Sequence, residues 1–113
     1  SEYTGTDTLK AKVYYYTAGA TSGAFACNIY LEAFTDGDAV DLEAAQSVDT
    51  GGNAGTATVP GTAGHLDVIT TTLSNKDSVA AGDLCRIVFI RDVSEDGASG
   101  DVYLANIELY EET

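Results

Sequence analysis

The sequence has few basic residues and no long apolar run, and each shortage excludes a class of partner. Five Lys and Arg residues stand against 18 Asp and Glu residues, for a net charge of −13 at pH 7. A charge of this sign repels nucleic acid and anionic membrane surfaces. No stretch approaches the roughly 18 consecutive apolar residues that cross a bilayer. We therefore expect neither nucleic-acid binding nor membrane insertion.

The residues that common catalytic and metal sites need are scarce as well. The single histidine, His65, has no evident Ser or Cys partner, and the chain contains no Gly-x-Ser-x-Gly elbow. Phosphate-binding and dinucleotide-binding glycine motifs are missing. One histidine without a Cys-x-x-Cys pair argues against zinc. Carboxylates alone can serve a glycosidase, but a β domain of this size usually lacks the deep cleft. We expect a protein that is not an enzyme.

Length and composition set the domain organisation. The 113 residues allow one domain with one core. Apolar and charged fractions of 44% and 20% are typical of globular proteins. We predict a polar N-terminal arm or linker remnant over residues 1–8 and a folded domain over residues 9–113.

Glycine, in contrast to the scarce residues, is frequent, and it divides the chain into short segments. Between the 12 glycines, apolar and polar residues alternate with the period of a strand. The strand candidates are residues 9–17, 24–34, 65–72, 84–91 and 102–110; weaker candidates are residues 45–49 and 56–59. No segment carries an apolar helical stripe over three turns. The sequence predicts an all-β fold, a single-domain antiparallel β-sandwich that is jelly-roll-like and has seven or eight short strands.

The last strand candidate changes phase. Val102 and Leu104 share one parity, whereas Ile107 and Leu109 share the other. One extra residue near residues 105–106 would return all four side chains to one face. The pattern therefore predicts a β-bulge at this point.

The two cysteines lie in the two most apolar segments. Alternation predicts that Cys27 and Cys85 both point inward, where free thiols pack as small hydrophobic groups. A disulfide remains an alternative if the two strands bring their Cα atoms to about 4.4–6.8 Å.

One acidic loop allows two interpretations. Asp92, Ser94 and Asp96 precede Gly97 at the spacing with which an EF-hand calcium loop begins, but Tyr103 occupies the position of the closing Glu. Asp, Ser and Gly also build ordinary turns. The loop is thus either a turn or a calcium site, and we expect no other cofactor.

Outward-facing tyrosines and a second acidic turn are the remaining candidates for function. Alternation places Tyr15 inward and its neighbours outward. Exposed tyrosine rings on a strand bury well against another subunit and also stack on sugar rings. The predicted partner-facing or receptor-facing residues are Tyr14, Tyr16, Tyr30, Asp36, Asp38 and Asp41.

Three blocks of sequence resemble one known domain, in the same order and at the same spacing. They are residues 34–41 (FTDGDAVD), residues 80–92 (AAGDLCRIVFIRD) and residues 100–110, with GDVYL followed by IELY. They resemble the C-terminal β-sandwich domain of tailed-phage virion structural proteins, including fibre proteins. The resemblance covers about residues 9–110. It implies a structural, adhesive or host-recognition role on a virion and no catalytic residues.

Our leading hypothesis is therefore a non-enzymatic virion appendage domain, a fibre tip or capsid decoration that serves assembly or attachment. It would lie on the virion surface or outside the cell. Its partners would be copies of itself, with a trimer favoured, other virion proteins, or a glycan or protein on the host surface. The alternatives are a cellular carbohydrate-binding or adhesin module that uses calcium, and a subunit of an extracellular filament.

Overall fold

The fold is all-β, with antiparallel strands throughout. The computed structural model describes residues 4–5, 7–35, 37, 51–92 and 94–112. Within these residues the chain forms six strands, namely β1 (Thr8–Thr17), β2 (Ala24–Phe34), β3 (Asn53–Thr58), β4 (Asp67–Thr72), β5 (Leu84–Arg91) and β6 (Val102–Glu112).

The strands form two three-stranded sheets that face each other in a sandwich-like arrangement. Sheet A has the order β4-β1-β6 and sheet B has the order β3-β2-β5. The prediction of seven or eight strands is wrong for the described residues, which form six. Candidates 56–59 and 65–72 correspond to β3 and β4 with shifted ends. The candidate strand at residues 45–49 lies outside the described residues.

The core lies between the two central strands, as their alternation predicts. Tyr15 of β1 is fully buried, and its ring lies 4.6 Å from that of Phe25 on β2, centroid to centroid. The Tyr15 hydroxyl donates a hydrogen bond of 2.6 Å to Asp67. Burial and this hydrogen bond both raise the pKa of Tyr15. Six other inward side chains of the two strands are buried as well: Leu9, Ala11 and Val13 on β1, and Cys27, Ile29 and Leu31 on β2.

The predicted β-bulge in the last strand is confirmed. Tyr14 pairs with Asn106, but the next residue, Tyr15, pairs with Leu104, so Ala105 is the extra residue. The bulge turns both halves of β6 toward the core, and Val102 packs against it.

The prediction for the cysteines is half wrong. Both thiols are free, and Cys27 is buried, but Cys85 is exposed. Cys85 has inward parity, yet it is the second residue of β5 and pairs with Ala33, where the core ends. Cys27 pairs with Arg91 at the other end of the same strand pair. This offset of six positions along the strands separates the cysteines by about 20 Å, which excludes a disulfide within the chain.

The two sides of the sandwich differ. On the closed side, β3 and β4 approach within 8 Å, Cα to Cα. Gly55 of β3 faces the side chains of Ile69 and Thr71 there. On the open side, no Cα atom of β5 lies within 8 Å of one of β6. The open side therefore leaves the inward faces of two strands partly uncovered.

Side-chain hydrogen bonds fix the segment that follows β4 and the N-terminal residues against the strands. Asn53 of β3 donates to the carbonyl of Asn75 at 2.8 Å and accepts from its N–H at 2.9 Å. The Asp77 carboxylate accepts from the N–H of Ala33 at 3.0 Å. Within the predicted N-terminal arm, Thr8 already belongs to β1, and the Thr4 hydroxyl donates to Glu111 on β6 at 2.7 Å.

Gly55 allows β3 to approach β4 on the closed side, because a methyl group at this position would overlap side chains of β4. An alanine Cβ at this position would lie 2.9 Å from Cγ2 of Ile69 and would also press on Oγ1 of Thr71. We predict that Gly55→Ala lowers the free energy of unfolding by about 1–3 kcal/mol, measured by urea denaturation. Gly61→Ala is the matched control, since its Cβ would meet no atom within 4 Å. Equal stability of the two variants would contradict this account of the contact between β3 and β4.

Candidate interaction surfaces

A cluster of exposed tyrosines lies on the outer face of sheet A. Tyr16 of β1 stacks on Tyr103 of β6, with ring centroids 5.1 Å apart and ring planes inclined by 26°. These two rings are 38% and 46% exposed, and Tyr14 beside them is half-buried. We call Tyr14, Tyr16 and Tyr103 the tyrosine face. It forms because the bulge at Ala105 sets Tyr103 opposite Tyr16.

The two lysines of β1 extend this surface, and both interact with side chains of β6. The ammonium of Lys12 lies 5.1 Å from the ring centroid of Tyr110, in cation–π geometry. Lys10 forms an ion pair with Glu112. The hydrogen bond from Lys10 to this carboxylate raises the pKa of Lys10. The surface is thus aromatic and nearly neutral on a strongly acidic chain.

Tyr30 does not belong to the tyrosine face. It lies on β2, on the outer face of the opposite sheet, where it is half-buried. Gly52 packs against its ring, so closely that a Cβ on Gly52 would lie 2.9 Å from Cζ of Tyr30. The three tyrosines that alternation grouped as outward are therefore divided between two opposite surfaces.

The acidic turn predicted to face a partner lies outside the described residues. This applies to Asp36, Asp38 and Asp41. At the end of β2, the Thr35 hydroxyl donates to Asp83 at 2.8 Å. That bond ties this end of β2 to the turn that precedes β5.

An arginine–aspartate pair organises the loop between β5 and β6. Arg91 donates from Nε to Oδ2 of Asp96 and from Nη2 to Oδ1, both at 2.8 Å. Its guanidinium also donates to the carbonyls of Ala98 at 2.9 Å and Gly100 at 2.7 Å. Asp96 in turn accepts from the backbone N–H groups of Ala26 and Ala98. The Asp96 side chain is only 3% exposed and the Arg91 side chain is 26% exposed, so the carboxylate is buried and the guanidinium lies at the edge of the solvent.

The same pair bears on the calcium interpretation. Asp92 accepts two hydrogen bonds from Ser94, one of 2.7 Å from the hydroxyl and one of 3.1 Å from the N–H. The hydroxyl bond is the main cause that lowers the pKa of Asp92. Asp96 points instead at Arg91, so the three predicted ligands do not converge. Within the described ranges no three His, Cys, Asp or Glu side chains are placed to hold a metal ion. The geometry favours the turn, and calcium binding stays a prediction.

A shallow cleft of about 340 Å³ lies beside this loop, on sheet B. Its floor is built from small residues of β2 and β3, including Ala26, Ala54 and Thr56. Asp92 and Glu95 form one wall. Cys27 also borders the cleft, but burial raises the pKa of its thiol to about 11, which keeps it protonated at neutral pH.

Two further observations concern the class of protein. In the part of the chain that the structure describes, no helix is long and apolar enough to cross a bilayer. Comparison of the chain with protein-family models, with curated proteins and with solved structures found no match.

Two features of these surfaces escaped the sequence analysis. The Tyr16–Tyr103 stack could have been found from the bulge, because a shift of one residue near position 105 fixes which side Tyr103 faces. The Arg91–Asp96 pair had no comparable signal. A spacing of five residues across a turn is common, and Asp96 also fitted the calcium pattern.

The Arg91–Asp96 pair generates a stability prediction. Asp96→Asn keeps the shape of the side chain but leaves the guanidinium without its countercharge. We expect a loss of about 3 kcal/mol in the free energy of unfolding at pH 7, measured by urea denaturation. Glu95→Gln removes an exposed charge from the same loop and should change stability by less than about 0.5 kcal/mol.

The pH dependence of stability tests whether the charge of Asp96 stabilises the loop. Arg91 lowers the pKa of Asp96 below its ordinary value of 3.8, so the stability that the pair contributes is fully present above that pH. It is lost as the pH falls through the lowered pKa. The difference between wild type and Asp96→Asn should therefore shrink in strong acid. A difference that stays constant from pH 7 to about pH 2 would show that the charge of Asp96 is not what stabilises the loop.

Proposed function

We propose that the chain is a non-enzymatic structural domain of a virion, a fibre tip or capsid decoration that acts in assembly or attachment to the host surface. The observation that carries the proposal is the resemblance of three sequence blocks, in order and spacing, to the C-terminal domain of tailed-phage structural proteins. The two longer blocks contain β5 and most of β6, the edge strands of the open side. The first begins at Phe34, which pairs with Leu84 of β5.

The surface chemistry supports the proposal in a second way. The described residues present exposed aromatic and apolar surfaces and shallow clefts beside the β5–β6 loop, which suits binding to large partners more than catalysis on small ones. The tyrosine face is the surface that we assign to a neighbouring virion protein. Stacked tyrosines provide large contact area at low entropic cost, which is why they are frequent at interfaces.

Association with particles tests the virion role directly. Particles purified by density gradient from cultures that produce the chain would be probed with an antibody against it. We expect the chain to sediment with the particles and to remain there after washing in moderate salt. Recovery of the chain only in the soluble or cell-envelope fractions would contradict the proposal and favour the adhesin alternative.

The tyrosine face can be tested in the same preparation. Tyr14→Ser combined with Tyr16→Ser removes two rings from an outer face and leaves the core intact. We expect at least a tenfold loss of particle-bound chain, corresponding to about 1.4 kcal/mol of binding free energy. The matched control replaces both residues with Phe, which keeps the rings and should keep binding. Equal incorporation of the Ser and Phe variants would remove the tyrosine face from the interface.

A further inference from the structure

The open side exposes apolar side chains that point toward the core. Leu104 and Leu109 of β6 pair with the buried residues Tyr15 and Ala11, so they share the inward face of sheet A. They are nevertheless 45% and 37% exposed. On the closed side the inward residue Ile69 is only 3% exposed. The core is thus complete on one side and unfinished on the other.

The outer face of β5 is apolar too. Leu84 and Ile90 alternate with the inward residues of this strand and are 58% and 49% exposed. Residues 87–90 read IVFI, a continuous apolar run. Such runs are typical of strands that are covered on both faces. In the described structure β5 has a strand neighbour on one edge only.

Among the residues that the structure describes, the outer edge of β5 has no strand partner and is available for pairing. Asp92 donates its N–H to the carbonyl of Ala26 on β2 at 2.9 Å, which fixes the direction of the backbone groups in this ladder. Because these directions alternate along an antiparallel strand, residues 84, 86, 88 and 90 bond to β2. The N–H and C=O groups of residues 85, 87 and 89 then point away from the sheet. β5 contains no proline, lysine or bulge, which are the usual devices that block an edge.

The charge pattern indicates which partner can approach this edge. β5 contains both arginines of the chain and no acidic residue. Arg86 pairs with Glu32 at 3.1 Å and Arg91 pairs with Asp96 at 2.8 Å, so the strand is locally neutral on a chain of charge −13. By contrast, β6 ends in IELYEE, with three carboxylates. A second copy of this acidic chain therefore meets less repulsion along β5 than along β6.

We propose that the open side is the docking surface for a second copy of this chain, with the two β5 strands paired antiparallel about a two-fold axis. An antiparallel pair of identical strands presents the same outward-pointing groups from each copy, so the interface is self-complementary. Pairing would join the two B sheets into one six-stranded sheet and cover Leu104 and Leu109 with the partner. This names a partner surface for the proposed appendage domain and predicts a dimer in place of the trimer that the sequence analysis favoured, and it can be tested without particles.

The experiment measures the mass of the purified full chain by size-exclusion chromatography with light scattering at about 100 μM, above the Kd of a specific dimer. We expect twice the chain mass of 11.7 kDa. In the joined sheet, Leu84→Lys with Ile90→Lys sets like charges near one another across the two-fold axis. Both side chains are largely exposed in the single chain, so the fold should survive, and circular dichroism would verify it. The variant should run as a monomer.

The control variant, Leu66→Lys with Thr58→Lys, adds the same charge at exposed positions away from β5 and should stay dimeric.

A second pair of variants tests the backbone edge of β5. Cys85→Pro removes an N–H that points away from β2 and should abolish the dimer, whereas Cys85→Ser should retain it.

Three results would overturn the proposal: a wild-type monomer, a wild-type trimer, or a dimer that survives the double lysine substitution in β5. A dimer that never sediments with particles would instead refute the virion role and leave the β5 pairing intact.

Discussion

In the described part of the chain each sheet has three strands, and this constraint governs the rest of the structure. A three-stranded sheet has one central strand, so β1 and β2 alone have neighbours on both edges, and they supply most of the buried core. The contact between Tyr15 and Phe25 joins them across the sandwich. The four outer strands can only finish the core where two of them approach. β3 and β4 do so at Gly55, and β5 and β6 do not.

The distribution of charge follows from the same arrangement. The few basic residues stabilise the fold locally, since Lys10 and Lys12 connect β1 to β6, while Arg86 and Arg91 neutralise carboxylates beside β5. The acidic excess is left for the remaining surface, where it keeps copies of the chain apart. Surfaces that are both apolar and locally neutral are then the places where a partner can approach. The tyrosine face and the open side are two such places, on sheet A and along β5.

Much of the fold could be predicted from the sequence, because alternation in long strands reports directly on burial. The strand candidates other than the two weaker ones, the inward side chains of β1 and β2, and the bulge at Ala105 all follow from period-two patterns. Less of the candidate surfaces could be predicted. Alternation assigns a residue to a face, but it does not say which sheet carries the strand, so Tyr30 was grouped with Tyr14 and Tyr16. The acidic turn at Asp36, Asp38 and Asp41 lies outside the described residues.

By itself the sequence determined the fold class, the course of the main strands and the inward-facing sides of β1 and β2, because these depend on neighbours two residues apart. Only the tertiary structure decided how completely each inward position is covered. Cys85 has inward parity but lies where the core ends, Asp67 points inward because the Tyr15 hydroxyl meets it there, and Asp96 binds Arg91 instead of joining Asp92. Each of these outcomes depends on atoms contributed by distant parts of the chain or by the path of a loop. Local spacing carries no information about such contacts.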